Sequence, residues 1–372
     1  MFEAKKQKQV KKQEKQKEGR DRVLIRKAGW QLARLGIGLM LVGIGCGRSF
    51  AQAPAAGTAV PPVTSGMFEF HSGFWINLHH FLYLQALPPD RLRRSAAETE
   101  PEYRGGWDPA VAFYRDQMVS RDLLTDELMK RIDSYLARME GQPAIKGDVI
   151  GEELAGVLNA AAPIYRQQWW ERHNATNLFW IQVAQPLVIK LGEQMRGQLA
   201  TAYQAEWPAQ PVRVDVAVYA NWAGAYTNTD AGGQVHTIMS SENAGYQGFG
   251  ALEMLFHEAS HGMVDGRSGK LGEAIQSAAK KNNIEAPEDF WHALIFYTAG
   301  EFARRDLGTL GVREFEPLAD KRRLWVGPWQ DYRSLLSVFW QAHMDGKISM
   351  DEALGKIMDG LAVAQGKPTL PQ

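Results

Sequence analysis

Cysteine is almost missing from this chain: its 372 residues include one, Cys46. A single cysteine cannot form a disulfide within the chain, and it cannot supply the set of thiolates that structural zinc sites commonly use. Any metal site must therefore be built from histidine, glutamate or aspartate. The chain also lacks an excess of charge, since 42 basic residues balance 42 acidic ones.

The charges are unevenly distributed along the chain, with an excess of basic residues in residues 1–51. This segment resembles an export signal. This segment begins with a long lysine-rich stretch, continues with a short uncharged apolar run at 35–45, and ends in the small-x-small sequence Ser49-Phe50-Ala51. The order is typical of a signal peptide, with cleavage near Ala51. The apolar run is short for a membrane span. The long basic stretch leaves an uncleaved signal anchor open, and Cys46 leaves a lipid attachment site open.

Removal of residues 1–51 changes the charge of the protein. The segment holds 13 of the 42 basic and 4 of the 42 acidic residues, so the remainder has 29 basic and 38 acidic residues and a net charge of −9. A mildly acidic chain argues against nucleic acid as a partner. We therefore expect a periplasmic or secreted protein that touches the membrane only through a signal anchor or a lipid on Cys46. The sequence does not indicate its oligomeric state.

The rest of the chain predicts a mainly α fold of the α+β type. Residues 52–65 are rich in Pro, Ala and Gly and are typical of a flexible linker. Residues 66–207 show apolar residues at helical spacing, with a kink expected at Pro186. Residues 208–372 contain two predicted strands, at 212–220 and 235–240, followed by helices near 271–283, 288–307, 329–344 and 350–363. We expect the small sheet to lie next to a helix that carries the active site.

The strongest motif is H-E-x-x-H at His257, Glu258 and His261, within an apolar run. Residues four apart lie on the same face of a helix, so the two imidazoles can bind one zinc ion. Glu258 is adjacent to the first ligand, where it can act as a general base toward a zinc-activated water. Because apolar residues surround the motif, its ionisable side chains should be buried and should need partners.

A catalytic zinc usually has three protein ligands and an open position. The H-E-x-x-H motif followed by an acidic residue in a later apolar helix resembles the gluzincin metallopeptidases. The resemblance implies that Glu301 is the third ligand, and that a small upstream sheet binds an extended peptide at its edge. Other candidates remain. Asp265 lies one turn beyond His261, Glu273 follows in the next helix, and His292 lies about half a turn of azimuth from Glu301, so one unbroken helix cannot direct both toward the same ion.

Together these features predict an exported zinc metallohydrolase, most simply a peptidase, that acts on peptide or protein substrates. The strand at 235–240 is expected to bind substrate by adding it to the sheet. Two other functions remain open: a zinc hydrolase of a non-peptide substrate, and a non-catalytic binding module stabilised by zinc.

The other histidines and tyrosines are less informative. His71, His79 and His80 lie in a stretch predicted to be an aromatic helix and are expected to be satisfied core or surface histidines. Candidates for a group that stabilises the transition state are Tyr297, Tyr332 and His343, and the sequence does not choose among them.

Overall fold

A computed structural model describes residues 63–64, 66–88, 101–229, 233–327 and 329–364. The predicted signal peptide, its cleavage site near Ala51, Cys46 and nearly all of the predicted linker lie outside the described residues. All residues that the structure describes belong to one compact unit, Ala55–Gln372. Among them, no helix is both long enough and apolar enough to cross a membrane.

Five strands form one mixed sheet. They are β1 (Val63–Thr64), β2 (Phe68–His71), β3 (Val212–Ala217), β4 (Ala225–Thr229) and β5 (Val235–Ser240). Their order across the sheet is β1-β2-β3-β5-β4. Strands β2, β3 and β5 are parallel, whereas β1 and β4 pair antiparallel at the two edges. The parallel central strands are almost entirely buried, as expected for strands that are covered on both faces.

Four helices precede most of the sheet. They are α1 (Phe74–Ala86), α2 (Arg104–Phe113), α3 (Glu127–Arg138) and α4 (Glu152–Tyr165). The side chain of Asp126 caps α3 by accepting hydrogen bonds from the backbone N–H groups of Leu128 and Met129. Together these helices bury an aromatic-rich core, which also includes sheet residues such as Tyr226 and Ile238.

A long helix, α5 (Glu171–Tyr203), follows and continues through Pro186. It ends at Gln204, which adopts the left-handed conformation with φ 51°. Its buried residues recur at spacings of three and four, so one face packs into a second hydrophobic core, which also contains residues of the sheet and of the C-terminal helices. These residues are Ile181, Ala184, Val188, Leu191, Met195, Leu199 and Ala202.

The C-terminal part is helical. Its helices are α6 (Phe249–Ser260), α7 (Gly269–Lys281), α8 (Phe290–Thr309), α9 (Leu318–Lys321), α10 (Gln330–Leu335), α11 (Gln341–Met344) and α12 (Met350–Ala364). Helix α6 is buried from Gly250 to Ser260 and packs against α5 and α8. The predicted α+β fold, mainly α with a small sheet beside the H-E-x-x-H helix, is confirmed.

Candidate metal centre

Helix α6 positions the H-E-x-x-H residues at its C-terminal end. His257 and Glu258 lie in its last turn, and His261 follows directly as its capping residue. The helix starts beside the turn at Ala244–Tyr246, where Gly250 packs so closely that a Cβ atom would lie 2.2 Å from the carbonyl oxygen of Gly245. Glycine at this position therefore allows α6 to lie deep in the core.

Three histidines converge at this point. His292, in the first turn of α8, joins His257 and His261, and each ring can offer a nitrogen within 4.8 Å of the other two. The ring centroids are 5.1 Å apart for His257 and His261, 5.3 Å for His257 and His292, and 5.1 Å for His261 and His292. Since α6 packs directly against α8, this grouping follows from the fold.

The structure places Glu301, the predicted third ligand, outside this group. Its carboxylate instead accepts hydrogen bonds from Arg304, with 2.9 Å between Nε and Oε2. The physical reason is the continuity of α8: His292 and Glu301 are nine residues apart, about two and a half helical turns, and lie on opposite sides of the helix. A helix that directs His292 toward His257 and His261 therefore directs Glu301 away from these two histidines.

The two remaining carboxylate candidates also lie elsewhere. Asp265 is exposed and organises its own turn, because Oδ1 accepts from the backbone N–H groups of Arg267 (2.7 Å) and Ser268 (2.6 Å). Glu273 is exposed on α7. Of the alternatives that the sequence left open, the geometry favours His292.

Aromatic side chains surround the three imidazoles. Phe296 stacks on His257 with 3.8 Å between ring centroids and also contacts His292 at 5.0 Å. Trp291 meets His261 edge-on at 5.4 Å, and Trp329 meets His292 at 5.8 Å. These apolar rings restrict the orientation of the imidazoles and reduce their contact with water.

Burial makes all three imidazoles neutral. It lowers the pKa of His261 to about 3 and that of His292 to about 4, and it lowers the pKa of His257 well below its usual value; neighbouring histidines contribute to the shifts of His257 and His261. The Nδ1 atom of His257 is buried, and no described residue forms a hydrogen bond with it. Neutral imidazoles with free lone pairs, one of them in an unsatisfied buried position, suit a divalent cation such as Zn²⁺.

Glu258 is held from the sheet side. Thr227 on β4 donates a hydrogen bond to Glu258 Oε2 at 2.7 Å, and its hydroxyl also lies 2.9 Å from that of Thr237 on β5. Burial raises the pKa of Glu258 to about 7, and the hydrogen bond from Thr227 opposes this shift. A carboxyl group with a pKa near neutrality can both accept and release a proton at physiological pH.

The strand that contacts Glu258 is the edge strand β4. We predicted substrate addition at residues 235–240, and this prediction is wrong, because β5 lies inside the sheet between β3 and β4. Among the described residues, β4 is the strand at this edge of the sheet and pairs only with β5, as the prediction requires. Its signal in the sequence is weak, because Ala225–Thr229 is short and rich in polar residues.

The three candidates for a transition-state group have other partners. Tyr297 donates to Gln341 Oε1 at 3.0 Å, and His343 contacts the carbonyl oxygen of Ala202 at 3.0 Å. Tyr332 donates to Asp289 Oδ1 at 3.1 Å, and Asp289 also accepts from the indole of Trp329. Asp289 therefore links Tyr332 to Trp329, one of the aromatic side chains that surround the imidazoles.

Comparison with known proteins adds nothing to this geometry. No family model, no curated protein and no solved structure matches the chain. Any functional conclusion therefore depends on the residues themselves.

Proposed function

We propose that this protein is a zinc-dependent hydrolase, and specifically a peptidase, with His257, His261 and His292 as metal ligands and Glu258 as general base. The observation that supports it most is the convergence of three neutral histidines from α6 and α8 beside a buried glutamate. The proposal keeps the H-E-x-x-H part of the gluzincin resemblance and gives His292 the role that the resemblance implied for Glu301.

Three imidazoles suit a catalytic zinc better than a structural one. Structural sites normally use four protein ligands, whereas catalytic sites use three and leave a position for water or substrate. The group formed by the described residues has three members. When bound, zinc would polarise a scissile carbonyl and make water more acidic.

Glu258 is suited to move the proton. Thr227 orients one of its oxygens, and its pKa of about 7 lets it take a proton from water and later deliver that proton to the leaving amine. Because Glu258 is almost fully buried, this proton transfer would occur away from bulk water.

An extended peptide is the substrate that the surroundings favour. Strand β4 is an antiparallel edge strand, and its residue Thr227 touches Glu258. A peptide added to this edge would run past the general base and gain backbone hydrogen bonds independently of its sequence. Trp222, just before β4, is 77% exposed and offers an apolar contact for a substrate side chain. A non-peptide substrate would not form the backbone hydrogen bonds that this strand edge offers.

Export is part of the proposal and depends on residues 1–51. Their basic, apolar and small-residue order supports a signal that is cleaved near Ala51 and delivers the enzyme to the periplasm or medium. N-terminal sequencing of the protein recovered outside the cytoplasm tests this step, and an intact N-terminus in the membrane fraction would contradict cleavage.

Matched pairs of variants test the site. Glu258→Gln should keep zinc but reduce the rate of peptide hydrolysis at least about 100-fold, because the proton acceptor is gone. Glu301→Gln makes the same chemical change on α8 and should keep both zinc and hydrolysis. His292→Ala should lose the zinc bound at this centre, whereas His343→Ala should retain it. Zinc is measured by elemental analysis, and hydrolysis with a mixed peptide library. Full activity in Glu258→Gln, or full zinc content in His292→Ala, would contradict the proposal.

A further inference from the structure

A second group of potential metal ligands lies beside the aromatic-rich core that α1–α4 bury. It consists of His79 and His80 on α1 and Asp133 on α3, and the three side chains are completely buried. Each can offer a ligand atom within 4.8 Å of the others. None of these residues takes part in the proposed function, and their side chains lie in a different core from those of α6.

The distances within this group approach those of a tetrahedral site. His80 Nε2 lies 3.3 Å from Asp133 Oδ1, and His79 Nε2 lies 3.8 Å from the same oxygen. Metal–ligand bonds of 2.0–2.1 Å at tetrahedral angles place neighbouring ligand atoms roughly 3.3 Å apart. Because all three ligand atoms already lie within 4.8 Å of one another, a contraction around an ion would bring them into coordination.

Tyrosines complete the surroundings of the group. Tyr114 lies 2.6 Å from His79 Nδ1, so His79 can donate its Nδ1–H to the phenol oxygen and keep the lone pair of Nε2 for a cation. Tyr226 donates to Asp133 Oδ2 at 2.7 Å, and its oxygen is 2.9 Å from His80 Nε2. This oxygen occupies a position from which it could be a fourth ligand.

Two of the ligand atoms are incompletely satisfied. Among the described residues, buried His79 Nε2 and Asp133 Oδ1 make no hydrogen bond of normal geometry, and the charged neighbours of Asp133 Oδ1 are the two histidines, with His80 Nε2 at 3.3 Å. Within the described part of the chain, Asp133 has no ion pair with lysine or arginine, whereas the buried Asp215 has Arg213. A buried carboxylate without a permanent cation is costly, and a bound cation would remove that cost.

We propose that His79, His80 and Asp133, with Tyr226 as fourth ligand, form a second binding site for a divalent transition metal, with zinc as the expected ion. Its four protein ligands and complete burial make it a closed site of the structural kind. Its ligands come from α1, α3 and β4, so a bound ion would connect these three elements. Tyr226 is also the neighbour of Thr227, which contacts Glu258 on the other face of β4.

The test is the metal content of the purified full chain and of a His257→Ala/His261→Ala variant. Each protein is first shown to be folded by circular dichroism and dialysed against a weak chelator. We expect two equivalents of zinc in the parent and one in the double variant, because the buried site does not share ligands with the first centre. A folded double variant without metal would overturn the proposal.

A third substitution locates the remaining ion. Adding Asp133→Asn to the double variant should reduce metal to less than about one tenth of an equivalent, whereas adding Asp306→Asn, at a buried carboxylate on α8 that contacts glutamine amides, should leave it in place. Retention of the metal in the variant that also carries Asp133→Asn would overturn the assignment of Asp133 as a ligand.

If the Asp133→Asn protein does not fold, X-ray absorption of the double variant loaded with Co²⁺ decides instead. Two imidazoles and oxygen ligands support the site, and any other ligand set overturns it. Because the two centres use separate residues, failure of one leaves the other measurable: a parent and a double variant that both hold one equivalent would refute the first centre and support the second.

Discussion

Glu253 should make the protein less stable as pH rises. It lies one turn before His257 on α6, is 1% exposed, and accepts hydrogen bonds from the backbone N–H of Leu318 at 3.0 and 2.9 Å. Burial raises its pKa from 4.5 to about 8, although the Leu318 N–H and the charge of Lys321 oppose the shift. The folded protein therefore keeps a proton on Glu253 over a pH range in which the unfolded chain has lost it.

The magnitude follows from linkage. Because the folded state binds the extra proton, the contribution of Glu253 to stability is complete below about pH 4.5 and is lost as pH rises toward 8. The limiting slope is about 1.4 kcal/mol per pH unit, so the full shift corresponds to at most about 5 kcal/mol. Glu253→Gln cannot titrate, so its stability relative to the parent should increase by up to about 4 kcal/mol between pH 5 and pH 8.

Urea denaturation of both proteins at pH 5, 6, 7 and 8 measures this difference directly. Glu273→Gln, at an exposed position on α7, is the matched control and should follow the parent at every pH. Curves for Glu253→Gln and the parent that stay parallel, within about 0.5 kcal/mol over the whole range, would refute the reasoning, because they would mean that Glu253 ionises at the same pH in the folded and unfolded protein.

Three further substitutions test the sheet and the site. Asp215→Asn should destabilise the protein by about 3–5 kcal/mol in urea denaturation, because the buried carboxylate that binds Arg213 (2.6 Å) and His236 (2.8 Å) is lost; a loss below about 1 kcal/mol would contradict this. Thr227→Val removes the hydrogen bond that lowers the pKa of Glu258, so the acidic limb of the pH profile of kcat/KM should move to higher pH; an unmoved limb would count against Glu258 as base. Gly250→Ala should lower the thermal midpoint, because the new Cβ would lie 2.2 Å from Gly245 O, whereas Gly156→Ala at an open, exposed helical position should raise it slightly.

The residues of the H-E-x-x-H motif could be predicted because their relation is local. Helical spacing alone places His257 and His261 on one face, and the surrounding apolar residues predict that the helix is buried. The third ligand depends on which face of α8 packs against α6, and that is a tertiary property. The sequence does predict that His292 and Glu301 cannot both face one ion from an unbroken helix, and in the structure it is His292 that lies beside His257 and His261.

The second group of ligands was beyond sequence reasoning for a related reason. His79 and His80 are adjacent in α1, but Asp133 is more than fifty positions away and Tyr226 lies in a strand of the sheet. No spacing rule connects these residues, and two histidines in an aromatic helix are ordinarily packing residues. The position of β5 was missed for the same reason, since a strand's place in a sheet depends on pairing partners far along the chain.

Strand β4 connects the two candidate centres through the alternation of its side chains. Successive residues of a strand point to opposite faces, so Tyr226 reaches Asp133 and His80 on one face while Thr227 reaches Glu258 on the other. An edge strand is paired on one side only and is the part of a sheet most easily displaced. Anchoring Tyr226 in a buried polar group therefore fixes the register of Thr227 against Glu258. A short polar strand with little apolar surface can then hold the carboxyl group of Glu258 at a defined position.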